Sequence, residues 1–253
     1  MRREFRAGAE KIIYNIREWY RDSHYRYVDA SNRIKDCLVD TAYQCTEDDY
    51  FLLFHKKALD DYQDGVRVIS VSIDKCEIAG MASLIYLMQR NEFPDSLIVA
   101  FLKENGEKRQ GIQNLVKLLK KTKRTYRAIV LDVTNTGWEE NCDYTLENCY
   151  LTRRMYSNLK SVLIGPFTGG SRDWKIIPDD RQLVKSVFYT DKYFATNAPR
   201  GKECDFFQEC GVKCFSFCLP VKEKFERGEA VTVDMYRLGW YMHKLIYLAK
   251  EKI

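Results

Sequence analysis

The run Val66-Arg67-Val68-Ile69-Ser70-Val71-Ser72-Ile73-Asp74, followed by Ile78-Ala79-Gly80-Met81-Ala82-Ser83-Leu84-Ile85-Tyr86-Leu87-Met88-Gln89-Arg90, decides how this chain is read. The first stretch is β-branched and apolar over one strand length with no turn residue, so it predicts a strand buried on both faces. The second is too long for a strand and apolar nearly all round, so it predicts a helix packed on both sides. A buried strand feeding a buried helix is the first half of a strand–helix–strand crossover.

The alternation continues outward. Residues 96–101 (SLIVAF) predict a strand, residues 110–121 a helix with a basic outer face, and residues 127–133 (RAIVLDV) another strand, so a largely parallel sheet with right-handed crossovers is expected. Beyond it the pattern predicts a strand at 161–164, a turn at 165–170, a helix near 179–188 and a strand at 212–219. A closing helix is expected over 233–250, with Met235, Leu238, Met242, Leu245 and Leu248 inward. Upstream, Ile12, Ile13, Ile16, Trp19 and Tyr20 predict an amphipathic helix over 4–20, and residues 22–64 read as loops with one short helix or strand near 50–54. No Pro/Ser-rich linker and no repeat divides the chain. The expectation is therefore one domain, 1–253, with residues 1–64 packed on a core at 65–253. Its fold class is α/β, a three-layer α/β/α arrangement around a mixed, mainly parallel sheet.

With 253 residues, 45% apolar side chains and only 13 Gly and 5 Pro, the chain can bury a substantial core, which excludes disordered, collagen-like and low-complexity classes. Its 41 Lys and Arg against 36 Asp and Glu leave a net charge of +5, too mild to demand a polyanionic partner. No run reaches the ~18 uncharged apolar residues of a membrane span, and Met1-Arg2-Arg3-Glu4 is charged without a signal-peptide core, so a cytoplasmic protein without a membrane segment is expected. Nine cysteines with no CxxC pair argue for reduced thiols.

Three predicted strands end in a carboxylate: Asp74, Glu104 and Asp132. The carboxyl ends of parallel strands are where ligands gather in such sheets, although each acid could equally cap the turn that follows it. In their order along the chain these residues resemble the co-catalytic two-zinc aminopeptidases, especially the glutamyl-aminopeptidase and endoglucanase-like branch and its smaller vesicular aminopeptidase-like relatives. The matching residues are Asp74 with Gly80-Met81-Ala82, then Glu104-Asn105-Gly106, then Val130-Leu131-Asp132-Val133-Thr134. Further on come Gly201-Lys202-Glu203-Cys204-Asp205, Leu219-Pro220-Val221 and Glu229-Ala230-Val231-Thr232-Val233-Asp234.

The resemblance implies a zinc-exopeptidase fold and a site where two His, a bridging Asp, a Glu and a further acid hold two zinc ions and a free Glu is the base. Carried onto this chain, it makes Glu104 the catalytic base, Asp132 an acid ligand, and Asn105 the occupant of a metal-binding Glu position. Asp74 becomes either the bridging ligand or the acid that orients the first His, with Glu77 as a substitute bridge; Glu203 and Asp205 become cleft residues. Ser72-Ile73-Asp74 stands where the family has H-x-D, and Phe225-Glu226-Arg227 where its last His would fall. Of the three histidines, His24 and His55 lie in the unmatched first part and His243 inside the closing helix.

The expected protein is thus peptidase-like with a degenerate metal site, a pseudoenzyme that binds a peptide or protein ligand or serves as a scaffold. The alternative is an active metal-dependent peptidase or amidohydrolase, with zinc held by acids around Asp74, Glu104 and Asp132. Without metal, converging acids would need a cation such as Lys75, Lys202 or Arg227. Cys204, Cys210, Cys214 and Cys218 lack zinc-site spacing, and Cys214 and Cys218 share one strand face with Ser216, so buried core residues are expected. The run from Lys117 to Arg124 reads as a solvated basic face, with nucleic acid not expected as a partner.

Overall fold

The runs anticipated as strands at 66–73, 96–101, 127–133 and 212–219 become buried strands. The computed structural model describes residues 2–19, 27–56, 66–74, 76–103, 109–122, 124–135, 138–139, 143–164, 203–222 and 232–250. Within them, β1 is Gln44–Asp48, β2 Phe51–His55, β3 Val66–Ser72, β4 Leu97–Leu102, β5 Tyr126–Thr134, β6 Thr145–Tyr150 and β7 Lys213–Pro220. The helices are α1 Arg2–Trp19, α2 Tyr27–Leu38, α3 Ile78–Gln89, α4 Gln110–Lys121, α5 Arg153–Ile164, α6 Glu203–Glu209 and α7 Met235–Lys250.

The strands form one seven-stranded sheet in the order β1-β2-β4-β3-β5-β7-β6. β3, β4, β5 and β7 are mutually parallel, while β2 and β6 run antiparallel to their interior neighbours. The fold class is the expected one: a mixed, mainly parallel sheet with helices on both faces. Period-two alternation sorts the side chains into two cores. Ile69, Val71, Ile129, Leu131, Phe215 and Phe217 face the layer that holds α1, α3 and α7. Val66, Val68, Ala128, Val130 and Cys214 face α4 and α6.

From β3 the chain crosses to β4 on one side, and after β5 it goes to the other side, to β6 and β7. The strand order therefore reverses between β3 and β5, and their carboxyl ends diverge into a crevice, the place where open α/β sheets bind ligands. α3 presses close beneath it, since a Cβ on Gly80 would lie 3.0 Å from Val71 Cγ2 and 3.7 Å from Glu77 Oε2.

Three elements differ from the sequence-based expectation. Residues 161–164 are the end of helix α5, not a strand, because Met155, Leu159 and Leu163 recur at helical spacing and the last two are buried in the core. The short element expected near 50–54 is strand β2, but residues 27–48 carry helix α2 and strand β1 where loops were expected; β1 and β2 join through Asp49-Tyr50, with Asp48 opposite Phe51. β6 was not anticipated, and its acidic and polar residues Thr145 and Glu147 interrupt the apolar signal of an edge strand. The turn at 165–170 and the helix near 179–188 fall outside the described residues. No described helix is long and apolar enough to cross a membrane.

α1 docks on α3 through a glycine. A Cβ at Gly8 would sit 1.9 Å from Tyr86 Cε2, whose ring also packs edge-on against Phe5 at 5.9 Å and whose hydroxyl donates to Glu4 O at 3.1 Å. Gly8→Ala should therefore destabilise the fold by about 1–3 kcal/mol despite the higher helix propensity of Ala, because the ring must move. Urea unfolding of the variant measures this; a gain in stability would mean that α1 does not pack this closely.

Candidate functional site

At the crevice, the strand register aligns a polar row on the face toward α4 and α6. Asp132 on β5 pairs with Cys218 on β7, which pairs with Thr145 on β6; Ser72 ends β3 on the other side of β5. Ser70 and Ser216 lie one step below, both buried. Ser70 and Ser72, alternating in an otherwise β-branched run, are the sequence signal for this face.

Four of the predicted acids gather here. Glu77, at the N-cap of α3, makes no capping hydrogen bond and turns inward, with only 8% of its surface exposed. Its carboxyl hydrogen-bonds the Asp132 carboxyl, and the neighbours that act on it electrostatically, Asp132, Glu203 and Asp74, are all acids. Burial first, and the Asp132 charge second, hold its pKa well above the usual carboxylate range. Two carboxyl groups this close favour a shared proton, and the raised pKa of Glu77 makes it the side that would donate. Glu77 Oε2 is buried and accepts no hydrogen bond from a described donor.

Glu203 opens α6, is 8% exposed and accepts a short hydrogen bond from Ser72 Oγ, 131 residues away in sequence. Asp74 is exposed at the mouth, where its Oδ1 accepts from Cys76 N at 2.8 Å in a local turn. Asp132 Oδ1 accepts from Val133 N at 2.9 Å. Both thus make the local bonds of the capping alternative while belonging to the cluster. Tyr241 of α7 backs the cluster: its ring stacks on Phe217 at 4.5 Å and 9°, and its hydroxyl donates to Phe217 O at 2.8 Å. Burial above all, then Cys218, Glu77 and Asp132, keep that phenol from ionising.

Asp205 does not join the acids in any described contact with Glu77; its Oδ1 accepts the Tyr150 hydroxyl at 2.7 Å and ties α6 to β6. Glu104, Asn105, Lys75, Lys202, Arg227 and His24 fall outside the described residues. His55 closes β2, at the opposite end of the sheet from the crevice, and His243 packs between Trp240 and Tyr247 on α7. The Cys204 Sγ lies 3.2 Å from Ser216 Oγ, and Cys214 Sγ donates to Cys204 O at 3.3 Å, so these thiols are buried core groups under α6.

No known protein family and no curated protein matches the sequence. Solved structures do match in shape. The Bacillus subtilis YXEP protein, a dinuclear metal-binding peptidase of the M20 family, superposes with a TM-score of 0.55 at 11% identity, covering 98% of each chain. PhTET1-12s, a dodecamer in its crystal asymmetric unit, gives a TM-score of 0.58 at 10% identity, covering 95% of this chain and 99% of that one. The chain has a metallopeptidase fold. That fold extends over nearly its whole length, as the sequence resemblance implied for residues 65 onward.

A zinc pair asks for imidazole nitrogen beside bridging and terminal carboxylates. The described cluster offers carboxyl and hydroxyl oxygens, and the environment of Glu77 favours its neutral form. Among the described residues no group of three or more His, Cys, Asp or Glu is spaced to hold one metal ion. The described part of the cluster supplies no imidazole for a zinc pair. What it can do is hold one proton between Glu77 and Asp132 and present Asp74 to a cationic group at the mouth.

Proposed function

We propose that this chain is a non-catalytic member of the metallopeptidase fold that uses the crevice to bind a peptide or protein ligand or to serve as a scaffold. What supports this reading is the placing of the buried Glu77 carboxyl against Asp132 at the strand end, an arrangement that favours a shared proton, while His55 and His243 stand elsewhere. A water molecule is activated in such folds by charge-matched metal ligands and a free carboxylate base. A pair that shares a proton supplies neither. Ser72-Ile73-Asp74, in the place of an H-x-D ligand motif, supports the same reading.

A second reading has an observation of its own. Buried Glu77 Oε2 accepts no hydrogen bond from a described donor, and Asp132, Glu203 and Asp74 all act on Glu77 as like charges, which a hard cation would relieve. In that case the chain is an active peptidase or amidohydrolase with an acid-rich site, and Glu104 is its base.

Elemental analysis of protein purified without chelators separates the two. The expected result is less than about one zinc per chain, and no hydrolysis of aminoacyl-p-nitroanilides on addition of zinc, manganese or magnesium, because each lost imidazole weakens a site steeply. Two tightly held zinc ions, or metal-dependent turnover lost in Asp132→Asn, would overturn the non-catalytic reading.

A further inference from the structure

We propose that the groove between α4 and the β1–β2 hairpin docks an acidic peptide segment that carries an apolar anchor side chain. The groove encloses about 360 Å³, with Lys117, Lys120 and Lys121 on its rim and Phe51 and Leu118 in its floor. It lies beyond β4 from the acid crevice, so it is independent of the function proposed for that site.

Lysines in a last helical turn offset the helix dipole, which accounts for Lys120 and Lys121 but not for Lys117. Nor does it account for the surrounding charge: every charged side chain from residue 108 to residue 127 is Lys or Arg. A solvated helix face ordinarily mixes signs. Among the described residues the three rim lysines form no ion pair, whereas Lys35, Lys56 and Lys103 do. The one acid in the lining, Asp48, spends an oxygen on Tyr50 N at 3.1 Å. The rim is therefore a net positive surface over an apolar floor, complementary to carboxylates flanking an apolar residue.

Two further features select a peptide. β1 reaches the groove at Asp48, all five of its residues are exposed, and among the described residues no strand pairs with its outer edge, so an extended segment leaving the groove finds main-chain groups next to it. A single-stranded nucleic acid would need an exposed aromatic platform, but the groove's Phe51 is only 3% exposed.

The test is calorimetric titration of the full chain at low salt with the blocked peptide Glu-Glu-Phe-Glu-Glu, alongside versions with Lys for Glu and with Ala for Phe, and with oligouridine. Binding of the Glu/Phe peptide is expected. It should weaken roughly tenfold in the double variant Lys117→Glu/Lys121→Glu, several-fold when Phe is replaced by Ala, and strongly at high salt. Both lysines are exposed, so an unchanged circular dichroism spectrum should accompany the loss. The proposal is overturned by absent peptide binding, by binding indifferent to the charge reversal, or by oligouridine binding more tightly through the same lysines.

Discussion

Tyr241→Ala is expected to cost about 3–5 kcal/mol of folding stability, the range for truncating a buried aromatic side chain. Tyr241 is fully buried, stacks on Phe217, and Phe217 in turn packs against Tyr144, the residue before β6, at 5.3 Å. One ring therefore links α7 to β7 and, through it, to β6. Tyr241→Phe removes only the hydroxyl that donates to Phe217 O and should cost about 0.5–1.5 kcal/mol. Urea denaturation of both variants by far-ultraviolet circular dichroism gives the comparison. A loss below about 1 kcal/mol for the alanine variant would show that α7 does not depend on this stack.

Glu77→Gln should change the pH dependence of stability. The folded chain holds the Glu77 proton more tightly than the unfolded chain, whose carboxyl titrates near 4.5. Its favourable contribution is therefore complete below that pH and is lost as pH rises through the raised folded value. Over that interval wild-type stability should fall relative to the variant by up to ~1.4 kcal/mol per pH unit, since one proton is at issue. Gln keeps the shape, stays neutral and can still donate to Asp132. The variant should thus be the more stable protein at neutral and alkaline pH and lose that advantage in acid. Chemical denaturation across pH measures the difference between the two curves. Parallel curves would mean that Glu77 is ionised in the fold, and the carboxyl pair would no longer distinguish this crevice from a metal-ready one.

The two variants probe one arrangement. Tyr241 walls the acid cluster from the α7 side with a group that cannot ionise, and α3 delivers Glu77 from beneath. An apolar wall of this kind keeps water from compensating the acids and favours proton sharing. The basic groove behaves in the opposite way. Its lysines are solvated and cost little to keep apart, so its charge is available to a partner and is not consumed inside the fold.

Much of the fold was legible locally. The runs Val66–Ser72 and Leu97–Leu102 are apolar on both faces because both faces are covered, and α4 occupies residues 110–121 as its period-3.6 pattern requires. These segments carry their structure in nearest-neighbour chemistry. Asp74 and Asp132 were likewise legible as strand-end acids, because a carboxylate after a buried run marks where the strand leaves the sheet.

Tertiary structure alone decided which side chains meet. Thr145 and Glu147 hide β6 from any hydropathy pattern, and only its pairing with β7 makes it a strand. Glu203 and Asp205 are two residues apart, yet one turns to Ser72 of the central strand and the other to Tyr150 at the sheet margin. Glu77 could be named only as a substitute bridging acid through the resemblance, and its burial against Asp132 comes from α3 lying close over β3 at Gly80. Local sequence sets which face of each element is apolar. Strand order and helix contact distance bring distant residues together, and they depend on the whole sheet closing at once.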